Sequence, residues 1–174
     1  MPEVSKDASI LIGISWQALR RAEKGDERTK ISDCTVALVF AGFYIEANLN
    51  QIIDILGKKQ EMVDFLQDKR PGLQDKLAWF YNYYIAETKL KSKKEGGKDL
   101  YDKLRVEFSG FNEIYKFRND ISHGNIDSSI ANLADVQKLR SEAKSIVEKL
   151  FKFAEKSAGY AIPRTTTYYD AISE

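Results

Sequence analysis

Apolar residues recur at helical spacing along most of this chain, and the strict alternation expected of a half-buried strand is nearly absent. Ile10, Ile14, Ala18 and Ala22 form one stripe, with Leu11 and Trp16 beside it. They predict a first helix from about Ser5 to Lys24, ended by Gly25-Asp26. A second helix is expected to start after Ser32 or Asp33, both favourable caps, and to run to Leu56. Val36, Val39, Phe40, Phe43, Tyr44, Ala47, Ile52, Ile53 and Leu56 surround most of its circumference. A helix apolar on so many sides is expected at the centre of the fold. Gly57 stops it.

Met62 to Leu66 has the makings of a short helix, and Arg70-Pro71-Gly72 makes a turn. A third helix is expected from Leu73 to about Lys91, carrying Leu77, Trp79, Phe80, Tyr81, Tyr83, Tyr84 and Ile85. A fourth is expected from about Asp99 to Ser122, with the stripe Leu100, Leu104, Phe108, Phe111, Ile114, Phe117 and Ile121. Gly124-Asn125 then turns the chain. A fifth helix, about Asn132 to Ser157, carries Leu133, Val136, Leu139, Ala143, Ile146, Val147, Leu150, Phe153 and Ala154. Beyond Gly159 the chain is expected to be extended and to pack on the body or on a partner. Prolines occur only at positions 2, 71 and 163, so the long segments are free of helix breakers. The expected class is all-α, an up-and-down bundle of four to five long helices. It forms a single domain over residues 1–158 with a C-terminal tail at 159–174.

Composition narrows the chemistry. At 174 residues and 43% apolar, the chain can bury a core without disulfide staples. Its 27 basic and 26 acidic residues leave a net charge of +1. Any nucleic-acid contact therefore needs a local basic patch rather than bulk charge. The largest such patch is Lys89–Lys98, with five lysines in ten residues. Lys91, Lys93 and Lys94 are its candidate phosphate contacts. Cys34 is the sole cysteine and His123 the sole histidine. That is too few nitrogen and sulfur ligands for a zinc site. The many acidic residues are compatible with a carboxylate-bound Mg²⁺, but no paired-Asp motif of the kind phosphoryl-transfer enzymes use occurs, and no metal or cofactor is expected. No P-loop, Gly-x-Gly-x-x-Gly or Gly-x-Ser-x-Gly motif occurs. The N-terminus lacks a basic start leading into a long apolar core, and no apolar run looks long enough to span a membrane. A cytoplasmic protein without a membrane is expected.

The most distinctive polar segment is Arg118-Asn119-Asp120-Ile121-Ser122-His123. On a wheel at about 100° per residue, with Arg118 at zero, Ser122 falls near about 40°, Asn119 near about 100° and His123 near about 140°. Ile114, Phe117 and Ile121 occupy the other side. The four polar residues thus lie in one arc beside the apolar stripe. A guanidinium holds phosphate well, and imidazole transfers protons near neutral pH. The same histidine, placed in a last helical turn, also complements the negative end of the helix dipole.

The segment Arg118-Asn119-x-x-Ser122-His123 resembles the Arg-x4–6-His signature of HEPN domains, in which a polar residue commonly follows the arginine. Phe43-Tyr44-Ile45-Glu46-Ala47-Asn48-Leu49-Asn50 is similar to the aromatic–acidic segment often seen in the second helix of such domains. The likeness covers about residues 36–156 in helix order, though its specific part is short. It implies a four- to five-helix bundle and a homodimer with two motifs facing across the interface. In many members it implies metal-independent RNA cleavage, in a toxin or antiviral defence setting and at times beside an antitoxin protein. Carried over, Arg118 contacts the scissile phosphate, Asn119 orients the phosphate or the histidine, and Ser122 contributes to RNA binding. His123 is the acid or base in attack by the ribose 2′-OH, which leaves a 2′,3′-cyclic phosphate and a 5′-OH.

Glu46 shares a face with Phe43, Asn50 and Ile53, which directs it inward. A buried carboxylate seeks a partner, and Arg118 is the candidate, with Glu46 in a supporting role. Two other readings stand beside this one. The same scaffold serves as a non-catalytic dimerisation or interaction module in many HEPN proteins. Trp79, Tyr83 and Tyr84 would line a small-ligand pocket, although such a stripe is more often core or interface.

Overall fold

The computed structural model describes residues 7–56, 72–81, 103–104, 106–123 and 133–163. Five helices account for most of them: α1 (Asp7–Lys24), α2 (Glu27–Leu56), α3 (Leu73–Phe80), α4 (Phe111–Ser122) and α5 (Leu133–Ala158). No strand occurs among the described residues, so the protein is an all-α bundle, as the apolar periodicity predicts.

The start of α2 differs from the expectation. It begins at Glu27, not after Ser32 or Asp33. The cap is Asp26, whose Oδ1 accepts the backbone N–H of Thr29 at 2.9 Å and of Arg28 at 3.1 Å. Those bonds satisfy two orphan donors of the first turn and hold the Asp26 carboxyl below its usual range. Only Gly25 and Asp26 separate α1 from α2, so the two helices fold back as a hairpin. Ser15 Oγ donates to the Ala37 carbonyl at 2.7 Å, and Arg21 pairs with Asp33 at 2.9 Å. Contacts at those positions require antiparallel helices.

The expected fourth helix is interrupted. Phe108, Ser109 and Gly110 form a turn, and Gly110 adopts a left-handed φ of 77°. A Cβ there would overlap the Glu142 carboxyl of α5. Glycine satisfies both demands, conformational and steric. Helix α4 proper is therefore 12 residues long. The preceding turn is tied to α5 by Lys149 Nζ, which donates to the Glu107 carbonyl at 2.7 Å.

Helix α2 packs against each of the other four helices. Leu38, Ile45, Leu49 and Ile52 are fully buried along it, and Ile114, Phe108, Leu77, Val136 and Leu150 meet the same core. Each such side chain contributes about 1.5–3 kcal/mol, which outweighs the roughly 0.2–1 kcal/mol of an exposed ion pair. The packing is thus decided by α2's apolar positions. By length and composition α2 is also apolar enough to cross a membrane. This corrects the expectation that no run reaches that length, although much of the helix is buried inside the bundle.

Past α5, Gly159 takes a φ of 76° and turns the chain back. Ile162 enters the core, and its N–H reaches Glu155 Oε1 at 3.2 Å. The start of the tail thus packs on the body. The possible helix at 62–66, the Lys89–Lys98 patch with Lys91, Lys93 and Lys94, and residues 164–174 lie outside the described residues.

Candidate functional site

Glycine at position 42 opens the floor of the site. A Cβ at that position would lie 3.3 Å from Arg118 Cδ and 3.5 Å from Ile114 Cγ2. The side chains of α4 therefore settle directly on the α2 backbone. Gly42 faces Ile114, and one turn later Glu46 faces Arg118. The two helices consequently run side by side in the same direction.

Arg118 meets α2 through three kinds of contact. Its stem crosses at Gly42. Its guanidinium lies over the Phe43 ring, 5.0 Å from the centroid. Its Nη2 donates to Glu46 Oε2 at 2.7 Å. Phe43 is itself braced edge-on by Phe40, with centroids 5.8 Å apart. A guanidinium over an aromatic face gains about 0.5–1 kcal/mol when partly exposed. A charge-assisted hydrogen bond at this distance is among the stronger polar contacts. Arg118 and Glu46 retain 21% and 22% of their side-chain exposure, so the pair is half-buried and only partly screened by solvent.

A third helix reaches the same carboxylate. Lys76 of α3 places Nζ 3.3 Å from Glu46 Oε1 and 2.9 Å from Asn50 Oδ1. Glu46 thus serves two cations, one on each oxygen. Lys76 also acts on Asp54, where partial burial pushes the carboxyl up and the ammonium charge pulls it back. Sequence reasoning paired Glu46 with Arg118 but passed over both Gly42 and Lys76. In the sequence pattern Asn50 stands out only as a face-mate of Glu46. A glycine in the middle of the most buried helix was the one available signal, because such a residue usually marks a close approach.

His123 ends α4 with φ −96° and ψ 7°, and its backbone N–H returns to the Asn119 carbonyl at 3.0 Å. The residue is exposed. An ideal helix separates positions 118 and 123 by about 7.5 Å along the axis and about 140° around it. The guanidinium therefore faces α2, while the exposed imidazole stands at the C-terminal cap of the helix. Asn119 is half-buried on the arc between them. Ser122 closes the helix. Among the described residues no group of three or more His, Cys, Asp or Glu is placed to hold a metal ion. Cys34 is buried, and burial pushes its thiol up. Trp79 packs against the core, whereas Tyr83 and Tyr84 lie outside the described residues.

Comparison with protein-family models, curated proteins and solved structures finds no match to this chain. The functional reading rests on the site itself and on the resemblance of its two segments.

Proposed function

We propose that the protein is a metal-independent endoribonuclease of the HEPN type, acting as a homodimer in a toxin or antiviral defence role. One observation carries this reading. The two segments that resemble HEPN sequences, residues 43–50 and 118–123, are joined in space, with Arg118 on both Glu46 and Phe43.

In this reading Arg118 presents positive charge to the scissile phosphate from a fixed base. The ribose 2′-oxygen attacks phosphorus, the bond to the 5′-oxygen breaks, and a 2′,3′-cyclic phosphate and a 5′-OH result. The attacking hydroxyl must lose a proton and the leaving oxygen must gain one. His123 supplies one of these transfers. Each chain has a single histidine, so the second role falls to the other subunit of the dimer. Asn119 steadies the phosphate or the imidazole, and Ser122 and the Lys91, Lys93 and Lys94 patch add contacts to the RNA backbone.

The test is cleavage of mixed cellular RNA in EDTA, with the product ends identified. Cyclic phosphate ends formed by the wild type and lost in His123→Ala support the reading. A wild type that cleaves no RNA overturns it.

A second reading draws on the same ion pair. An arginine that joins two helices through a carboxylate and an aromatic ring has a structural use without any substrate, as in a non-catalytic dimerisation module. In that case Arg118→Ala weakens the bundle, and no RNA product changes.

A further inference from the structure

Asp120 stands against the electrostatics of its own helix. It lies in the last turn of α4, which carries no basic residue, and the carbonyl ends of a helix repel a carboxylate there. The residue is half-buried, and among the described residues it makes no hydrogen bond or ion pair. A charge kept at such a position lowers stability, and breaches of local rules of this kind are expected at functional sites. His123 follows three positions later and caps the helix. Positions three apart on a helix are neighbours, with Cβ atoms about 5–6 Å apart. Cα–Cβ bonds tilt toward the helix N-terminus, so the His123 side chain leans back over the turn that holds Asn119 and Asp120. The other charge on this face is Lys116, one turn before Asp120 and exposed. Lysine before aspartate is the weaker order for a pair at that spacing.

We propose that Asp120 is the positioning residue of His123. Its carboxylate accepts a hydrogen bond from the imidazole Nδ1–H and leaves Nε2 to exchange protons with RNA. In that last respect the inference rests on the function proposed above. The choice of nitrogen follows from reach. Nδ1 is the ring nitrogen nearer the backbone and an aspartate side chain is short, so a carboxylate three residues back meets Nδ1 first. A bond at Nδ1 fixes the tautomer of the neutral ring. His123 is exposed, and exposed side chains change rotamer rapidly, so the ring swings onto the carboxylate without any movement of α4. Nε2 takes the proton of the ribose 2′-hydroxyl, or holds the one it gives to the leaving 5′-oxygen. While it carries that proton the ring is an imidazolium, and the carboxylate stabilises it. Asp120 stays ionised throughout and touches no RNA. Arg118 is directed onto Glu46 and Phe43 of α2 and takes no part in the pair.

The experiment has one arm without RNA and one with it. The first reads the neutral imidazole by NMR at alkaline pH in protein carrying ¹⁵N-labelled histidine, where a sole histidine leaves one ring to assign. The wild type and Asp120→Glu should hold the proton on Nδ1, and Asp120→Ala should shift it toward Nε2. A wild type with the proton on Nε2, or an unchanged distribution in Asp120→Ala, overturns the inference whatever the protein does with RNA. The second arm measures cleavage of a single-stranded RNA oligonucleotide. Asp120→Ala should lower kcat roughly tenfold at unchanged KM, a part of the about 10²–10⁴-fold that an acid or base group supplies. Asp120→Glu should restore most of it. The melting temperature of Asp120→Ala should stay the same or rise, because a charge opposing the helix dipole is gone. A raised KM at unchanged kcat places the carboxylate against the RNA instead of the imidazole and overturns the positioning role. A wild type that cleaves no RNA overturns the proposed function and the catalytic use of the pair, while the tautomer still decides whether Asp120 holds the ring.

Discussion

A Cβ added to Gly42 would stand 3.3 Å from Arg118 Cδ, so the arginine of the candidate site crosses α2 where that helix has no side chain. Gly42→Ala gains about 0.5–1 kcal/mol of helix propensity and pushes the arginine stem by a few tenths of an ångström. The expected result is an unchanged or raised melting temperature together with RNA cleavage lowered by roughly threefold to tenfold, since small misplacements of an orienting group are felt in rate. Thermal unfolding and cleavage measured on one preparation separate the two effects. Lower stability at full activity contradicts the stated contact.

Arg118 and His123 should respond differently to removal. His123 is exposed, so His123→Ala should leave stability within about 0.5 kcal/mol while lowering cleavage about 10²–10⁴-fold. Arg118→Ala should lower cleavage by about 10²-fold or more. It should also cost about 1 kcal/mol of stability, because Glu46 and Phe43 each lose one of their partners. Urea unfolding alongside product analysis in EDTA tells them apart. Equal stability losses in both variants would contradict the exposed placement of His123.

Gly110→Ala is predicted to destabilise the fold by about 1–3 kcal/mol, combining a left-handed backbone with a clash. The clash partner is the Glu142 carboxyl. Glu142→Ala in the same chain should recover only the steric share. Chemical denaturation of the single and double variants gives both quantities, and full recovery would mean that the backbone conformation costs nothing.

The Asp26 cap predicts a pH signature. Its carboxyl is depressed by hydrogen bonds from Thr29, foremost its backbone N–H. A depressed carboxylate stabilises the fold fully above its unfolded value of 3.8 and loses that contribution as pH falls through the lower folded value. Asp26→Ala should therefore melt below the wild type at neutral pH, and the gap should close in acid well below pH 3.8. A gap that widens on acidification would have the wrong sign.

Pairing of two histidines requires two chains. Light scattering at micromolar concentration should give about twice the 19.9 kDa of one chain, since specific interfaces of ordinary size persist there. A monomer at that concentration would remove the source of the second proton carrier.

The bundle was legible in the sequence because its apolar stripes are long and seldom broken. The ends of α1 and α5 fall within a few residues of where the pattern stops. The start of α2 was not legible. Residues 27–33 carry almost no apolar stripe, and a cap at Asp26 is a matter of two backbone hydrogen bonds rather than of periodicity. The break before α4 was concealed for the opposite reason: Leu104, Phe108 and Phe111 continue one apolar face straight across the turn at Gly110. Within the site, the Glu46–Arg118 pair followed from an inward-facing carboxylate needing a cation. Lys76 did not, because a lysine on a helix looks like any solvated charge until α3 is laid against α2.

The site's two halves are mounted very differently. Glu46, Phe43 and Gly42 belong to a helix of 30 residues, about 45 Å long, in contact with each of the other four described helices. Arg118 and His123 ride on a helix of 12 residues between a left-handed glycine and an exposed end. Amide hydrogen exchange should register the contrast. Protection around residues 42–46 should vanish only when the whole molecule unfolds, whereas residues 119–123 should exchange through local fraying. Any adjustment between the arginine's base and the histidine is thus a motion of α4 against a stationary rail.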